Sequence, residues 1–143
     1  MALVVLSCVL LIVATTLTHY EVLNLLTRLL DRLHWPGRAK LIVAVLGCFI
    51  GHGAEILLYG AGYWLLIISA GHGSLGGTAT PDLGSALYFS AETYTSLGFG
   101  DVVPAGPVRL LAGVEALNGL LLIGWSASFL YLEMERFWRR RDR

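Results

Sequence analysis

The residues best suited to chemistry stand in one short stretch, residues 95–101, with the sequence TSLGFGD. Its two glycines, Gly98 and Gly100, are separated by a single residue and follow two hydroxyl residues. Glycine accepts φ values that other residues avoid, so this backbone can turn its carbonyl oxygens inward. Carbonyl oxygens arranged in a ring can replace the water shell of a cation. The stretch therefore predicts a backbone that binds ions.

The composition shows what must position this stretch. Hydrophobic residues make up 56% of the 143 residues and charged residues only 14%, with a mean hydropathy of +0.70. The hydrophobic fraction and the mean hydropathy lie far above those of soluble proteins, and the charged fraction lies well below, so we expect an integral membrane protein. The formal net charge is zero, which argues against nucleic acid as a partner, because no basic excess is available to neutralise phosphates.

Three apolar segments are long enough to cross a membrane, at residues 1–30, 41–70 and 107–135. The first could be a secretory signal, but such a signal needs a basic region near its start. No Lys or Arg precedes Arg28, so we expect this segment to remain as a membrane helix. The sequence thus predicts an all-α membrane protein with three transmembrane helices.

A shorter helix is predicted between the second and third segments, at residues 81–95. Thr80 suits the N-cap position, Pro81 the first helical position, and Asp82 the positive end of the helix. The helix would be roughly 20 Å long, too short to cross a membrane. The irregular backbone that follows, residues 96–101, is tolerated at membrane depth only where protein or water surrounds it.

Basic residues predict the orientation of the chain. The connector at residues 31–40 and the tail at residues 136–143 are rich in Arg, whereas the loop at residues 71–84 has no Lys or Arg. Positive residues favour the cytoplasmic side. We therefore expect a multi-pass protein of the plasma (inner) membrane with its N-terminus outside and its C-terminus in the cytoplasm.

The TSLGFGD stretch resembles the pore signature of the tetrameric potassium channels, and residues 41–135 resemble their pore domain. The resemblance implies a small prokaryotic channel of the two-transmembrane, pore-loop family with an extra N-terminal helix. It also implies a passive K⁺ pathway, no enzymatic activity, and no cofactor or small-molecule substrate besides the permeant K⁺. Since one chain carries one loop, we expect a homotetramer embedded in membrane lipids.

The same resemblance assigns the filter residues. By this resemblance, the Ser96 hydroxyl would contribute to the innermost K⁺ site. The other sites would be formed by backbone carbonyl oxygens of residues 96–99. In this sequence Leu97 replaces a usual valine or isoleucine and Phe99 replaces tyrosine. The assigned filter residues are Ser96, Leu97, Gly98, Phe99 and Gly100.

Four residues are expected to support the filter, and Thr95 directly precedes it. In some bacterial members of the family, the positions of Glu92 and Asp101 form a carboxyl–carboxylate pair, in which one acid keeps its proton. Tyr88, one turn before Glu92, is placed to donate its hydroxyl to Asp101. The alternative is a solvated Glu92 with Asp101 at the outer mouth.

Polar and small residues of the third segment fall on a shared helical face. Asn118, Gly119, Leu122 and Ser126 are expected to line the cavity below the filter. Gly119 is either a hinge of the kind this family bends at or a packing contact. Glu115 lies nearer the outer end and is expected to contact the short helix.

Four titratable residues in the first two segments, His19, Glu21, His52 and Glu55, are unexplained by the pore. Counted from the cytoplasmic ends of the helices, His19 and His52 come to a similar depth, so they could meet. One hypothesis is a proton sensor, because histidine titrates near neutral pH. Interhelical hydrogen bonding is the plainer alternative, and a transition-metal site lacks a zinc-like sequence spacing.

Other classes of function stay open at this point. A weakly selective cation channel would use the same loop, and a non-conducting subunit would assemble with another channel. A membrane protein that binds metal through its His and Glu residues is the most distant alternative. We expect K⁺ at the filter and no transition metal in the protein.

Overall fold

The computed structural model describes residues 1–77, 82–98 and 100–141. Within this part of the chain the structure is helical apart from one short ribbon. Its elements are α1 (Ala2–Arg32), α2 (Gly37–Trp64) with a π-helical turn (Leu65–Ser69), β1 (Ser74–Gly77), α3 (Leu83–Tyr94), β2 (Val102–Ala105) and α4 (Val108–Arg141). Three helical segments, Ala2–Arg32, Gly37–Ser69 and Val108–Arg139, are long and apolar enough to cross a membrane. The predicted all-α membrane fold is confirmed.

The turn between α1 and α2 is shorter than the connector expected at residues 31–40. Pro36 caps α2, and its carbonyl oxygen accepts the backbone N–H groups of Ala39 and Lys40 at 3.0 and 3.2 Å. The Lys40 ammonium is buried and donates to the Leu30 carbonyl oxygen at 2.8 Å, at the C-terminal end of α1. Lys40 thus lies within α2 and satisfies a carbonyl oxygen at the end of α1, so its charge does not indicate a loop.

Helix α3 begins two residues later than the sequence predicts. The Asp82 carboxylate is itself the N-cap, and it accepts the backbone N–H of Ser85 at 2.7 Å. A side-chain oxygen at this position satisfies one of the free N–H groups of the first turn. The residues expected to start the helix, Thr80 and Pro81, lie outside the described residues.

A two-stranded antiparallel ribbon, which the sequence did not predict, joins the two ends of the loop region. Strand β1 pairs with β2 from Ser74 opposite Ala105 to Gly77 opposite Val102. Gly77 has φ +112°, and a Cβ at this position would overlap the Asp101 carbonyl oxygen. The ribbon thus holds together the chain before α3 and the chain after the glycine pair.

Helix α4 extends through the basic tail that was expected to follow it at residue 136. The Arg136 guanidinium donates to the Asp31 carboxylate at 2.6 Å, and the Lys40 ammonium lies 5.8 Å above the Phe137 ring. Arg139 pairs with Glu135 one turn earlier, a spacing that stabilises helices. The tail is therefore helix up to residue 141, and Arg136 and Phe137 pack it against the α1–α2 turn. Residues 142 and 143 lie outside the described part.

The core surrounds α3, which lies between α2 and α4 while α1 packs on both of those longer helices. Tyr59, Tyr63, Phe89 and Tyr94 are completely buried, and the Tyr63 and Phe89 rings meet edge to face at 5.0 Å. Many large apolar side chains of α1, α2 and α4 point outward instead. This pattern suits helices whose outer surfaces meet lipid or other copies of the chain.

Candidate functional site

The chain leaves α3 through a helix-ending motif that points it into the glycine-containing loop. Ser96 has φ +55°, and its backbone N–H donates to the Thr93 carbonyl oxygen at 3.0 Å. The N–H of Leu97 donates to the Glu92 carbonyl oxygen at 3.1 Å. These two bonds, with a left-handed residue between helix and loop, define a Schellman motif. Serine occupies the position where glycine is usual, so this exit carries some backbone strain.

The described residues of the predicted filter, 96–98 and 100, lie at the surface of the single chain. Gly98 has φ +99°, a value that favours glycine, and no atom of the described residues would lie within 4 Å of a Cβ there. Leu97 is 80% exposed, and Gly100 is also exposed. The Thr95 hydroxyl donates to a carbonyl oxygen one turn back in α3, at 2.7 Å. Phe99 lies outside the described residues.

Acidic and hydroxyl groups lie beside this segment, as expected. The Tyr88 hydroxyl donates to Asp101 Oδ1 at 3.3 Å, which agrees with the predicted contact. The Glu92 side chain is buried, which contradicts the alternative of a solvated Glu92. Its Oε1 would lie 3.1 Å from a Cβ on Gly100, and its Oε2 has no hydrogen-bond partner within the described part of the chain. The Glu92–Asp101 acid pair stays a prediction.

A buried carboxylate fixes the middle of α3 to α2 and α4. Glu115 of α4 is completely buried. The Ser90 hydroxyl of α3 donates to Glu115 Oε1 at 2.6 Å, and the Tyr63 hydroxyl of α2 donates to Oε2 at 2.5 Å. Both carboxylate oxygens therefore have donors. The predicted contact between Glu115 and the short helix is confirmed.

The residues expected to line a cavity instead face the core of the chain. The Asn118 amide donates to the Thr15 hydroxyl at 2.8 Å and to the Tyr59 hydroxyl at 3.1 Å. Leu122 and Ser126 are buried as well, 3% and 4% exposed. Thr15 and Tyr59 offer Asn118 partners that hydrocarbon cannot, which draws this face of α4 toward α1 and α2. The cavity assignment of these residues is corrected accordingly.

Gly119 is a packing contact in this structure. A Cβ at Gly119 would lie 3.0 Å from the Tyr94 carbonyl carbon and would overlap the carbonyl oxygen. Tyr94 is the last residue of α3. The absence of a side chain at Gly119 thus lets α4 approach the end of α3 that leads into the loop.

The two histidines meet, as their depth suggested, and Glu55 lies between them. His19 Nδ1 lies 2.8 Å from Glu55 Oε1, His52 Nδ1 lies 3.0 Å from Oε2, and the two rings are 5.3 Å apart. The Tyr94 hydroxyl donates to Glu55 and lies 2.9 Å from His52 Nδ1. Ser126 Oγ lies 3.4 Å from His19 Nε2. We call His19, His52, Glu55 and Tyr94 the histidine cluster.

Glu21 does not belong to this cluster, which corrects its grouping with the histidines. It is exposed on α1 and lines an open groove with Thr18, Asn24 and Arg28. Two residues along a helix correspond to about 200° of rotation, so Glu21 lies on the side of α1 opposite His19.

Sequence inspection missed several hydroxyl partners of these buried groups. Tyr94 joins the histidine cluster, Tyr63 and Ser90 hold Glu115, and Thr15 joins Asn118. Polar residues inside membrane helices usually face the bundle interior, and this rule was the available signal. It does not say which residues on different helices meet.

The structure has a short helix and a glycine-containing loop between two helices that are long and apolar enough to cross a membrane. Comparison with known proteins identifies the class. A family model described as "Ion channel" matches residues 53–135, more than half of the chain, and the chain belongs to this family of pore-loop channels. Ion channels are a non-enzyme class.

One curated relative is a potassium channel. The chain is 36% identical over 52 residues to the inward rectifier potassium channel Kirbac3.1 of Paramagnetospirillum magnetotacticum. The match covers 36% of this chain and 18% of that protein, so the chain spans only a small part of its relative. No solved structure matches the chain significantly.

Proposed function

We propose that this ion channel is potassium-selective and conducts K⁺ passively through a filter formed by four Ser-Leu-Gly-Phe-Gly segments, residues 96–100. The observation that carries the proposal is the position of this sequence. It directly follows α3 and precedes the ribbon strand β2, in a chain of the ion channel family. The similarity to an inward rectifier potassium channel supports K⁺ as the permeant ion.

The helix before the loop adds an electrostatic argument. The C-terminal end of a helix carries a partial negative charge, about half an elementary charge. The C-terminal end of α3 is at Tyr94, directly beside the loop. A cation close to this end is therefore favoured, which suits a pathway for K⁺.

A filter of this type needs more than one chain. One loop supplies a fraction of an ion's oxygen shell, and Leu97 in that loop is 80% exposed in the single chain. Four copies around a closed cyclic axis would complete the ring, so we propose a homotetramer surrounded by membrane lipids. Light scattering in detergent should then give a protein mass four times the 15.5 kDa of the chain.

The proposed orientation follows from the ends of the long helices. Arg32 and Arg38 lie at the helix ends on either side of the α1–α2 turn, and the end of α4 is rich in arginine. Positive residues favour the cytoplasm, so the N-terminus would lie outside and the C-terminus inside. Single cysteines at Ala2 and Glu135, in a chain with its native cysteines replaced, should react with an impermeant reagent only from opposite sides.

The test of selectivity is ion flux into liposomes that hold the purified protein. Gly98→Ala places a side chain at φ +99°, which costs on the order of 1–2 kcal/mol of backbone strain. Gly53→Ala is the matched control, because no atom lies within 4 Å of a Cβ there either and its φ is not positive. We expect K⁺ flux that exceeds Na⁺ flux, is lost in Gly98→Ala, and persists in Gly53→Ala.

Other results would support the alternatives. Equal Na⁺ and K⁺ flux would indicate a weakly selective cation channel. No flux from correctly assembled protein, in any ion, would indicate a non-conducting subunit that needs another channel. Flux unaffected by Gly98→Ala would place the pathway outside this loop.

A further inference from the structure

The histidine cluster brings together more ionisable side chains than a single hydrogen bond between two helices would need. Two imidazoles and a carboxylate meet between α1 and α2, and His19 and Glu55 are 1% and 0% exposed. Ionisable side chains in membrane segments are costly, and those that occur usually mark a functional site. One interhelical hydrogen bond would join α1 to α2. The structure instead aims both histidines at the same carboxylate.

The spacing of these groups matches a metal site. One ligand atom from each of His19, His52 and Glu55 lies within 4.8 Å of the others. Zinc ligands lie about 2.0–2.2 Å from the metal, so tetrahedral neighbours are about 3.4 Å apart. The two nitrogen–oxygen separations are 2.8 and 3.0 Å. These two separations would each lengthen by roughly half an ångström around a bound ion.

The surroundings supply the groups that a metal site needs beyond its ligands. A histidine that binds metal through one ring nitrogen usually donates its other N–H to a nearby acceptor. Ser126 Oγ lies 3.4 Å from His19 Nε2, which leaves His19 Nδ1 directed at the cluster. The Tyr94 hydroxyl contacts both Glu55 and His52, so it stands where a fourth ligand would come.

We propose that His19, His52 and Glu55 bind one first-row transition-metal ion of the Zn²⁺ class, with the Tyr94 hydroxyl or a water in the fourth position. Two imidazoles and one carboxylate are a ligand set that Zn²⁺ accepts. His52 and Glu55 are three residues apart on one face of α2, and both are held by rigid helix. The His52 side chain is 19% exposed in the single chain, so the cluster is not completely enclosed.

Sequence spacing alone could not indicate this site. The short spacing between His52 and Glu55 provides only two ligands, and the third comes from a different helix. The site also lies directly against Tyr94, the residue that ends α3. It would join the extra N-terminal helix, which the family match at residues 53–135 does not include, to the helix that leads into the loop.

The test measures metal in the purified, detergent-solubilised protein, without any conduction assay. The protein is stripped with chelator, loaded with Zn²⁺ and freed of excess by gel filtration. We expect one Zn²⁺ per chain in the unchanged protein and none in His19→Gln/His52→Gln. His34→Gln is the matched control, because His34 is exposed and lies outside the cluster, and it should retain one Zn²⁺.

Binding of Co²⁺ provides a second measurement. It uses the unchanged protein, so it does not depend on whether a variant folds. We expect the unchanged protein to show the visible absorption of four-coordinate Co²⁺, and Zn²⁺ should remove that absorption by competition. Ser126→Ala should weaken Zn²⁺ binding by about tenfold, because it removes the partner of the second ring nitrogen. Unchanged protein that retains no Zn²⁺ and gives no such spectrum would overturn the proposal, as would Zn²⁺ retained equally by the double variant. Both results are independent of K⁺ selectivity.

Discussion

Replacing Gly119 with alanine tests whether close packing of α4 positions the end of α3. The new methyl carbon would lie 3.0 and 3.2 Å from the carbonyl carbon and Cα of Tyr94. Ordinary contacts between carbon atoms are about 3.5–4.0 Å. Either α4 or the last turn of α3 must therefore move by roughly half an ångström or more. The filter segment begins two residues after Tyr94, so it would move as well.

Two opposing contributions determine how Gly119→Ala changes the free energy of unfolding. Alanine favours a helix interior over glycine by about 1 kcal/mol. Excess volume in a packed core costs about 1–3 kcal/mol. Gly113→Ala and Gly124→Ala in the same helix would gain the first term alone, because no atom of the described residues lies within 4 Å of a Cβ at either position. Gly119→Ala should therefore be about 1–3 kcal/mol less stable than these two controls.

The assay combines thermal unfolding in detergent with K⁺ flux into liposomes. We expect Gly119→Ala to unfold at a lower temperature than Gly113→Ala and Gly124→Ala, and to lose flux or selectivity while still assembling. If Gly119→Ala instead matches both controls in stability and in flux, the packing argument is refuted. A changed open probability at unchanged stability would favour the hinge interpretation.

Two further predictions concern the supports of α3. Glu115→Ala should cost about 1–3 kcal/mol, because the Tyr63 hydroxyl loses its acceptor, whereas the Ser90 hydroxyl can still donate to the Ile56 carbonyl oxygen at 2.9 Å. Glu115→Gln, which keeps one oxygen, should cost less in the same unfolding assay. Gly77→Ala should separate β1 from β2, because φ at Gly77 is +112° and the methyl group would overlap the Asp101 carbonyl oxygen. Gly76→Ala is the control, because the nearest atom to a Cβ at Gly76 is 3.8 Å away. We expect amide hydrogen exchange in β1 and β2 to be faster in Gly77→Ala than in the unchanged protein. In Gly76→Ala it should be unchanged.

Local sequence signals predicted the elements well. The three apolar segments are helices, and the short helix before the glycine-containing loop exists with an acidic cap. Helix ends were less predictable, because Lys40 and Arg136 are charged yet lie within helices and bond to other elements. Strands β1 and β2 were missed, since four residues show too little alternation and their pairing is long-range.

The residues of the candidate site were likewise predictable only in part. The contact between Tyr88 and Asp101 and the contact of Glu115 with α3 were predicted, because helical spacing and depth along the chain constrain both. The contacts of the Asn118 side chain were not predicted, because hydrophobicity alone does not determine which neighbouring element each face of a helix contacts. Its hydrogen bonds to Thr15 and Tyr59 exist only once three helices are packed together.

The sequence by itself determined that the chain is a membrane protein of the ion channel class, because apolar segment length and the TSLGFGD order are local properties of the chain. Tertiary structure alone decided that Gly119 packs against Tyr94 and that His19 joins His52 and Glu55. These contacts depend on the rotation and depth of one helix relative to another. That relation is fixed by packing over the whole interface, and no single stretch of sequence encodes it.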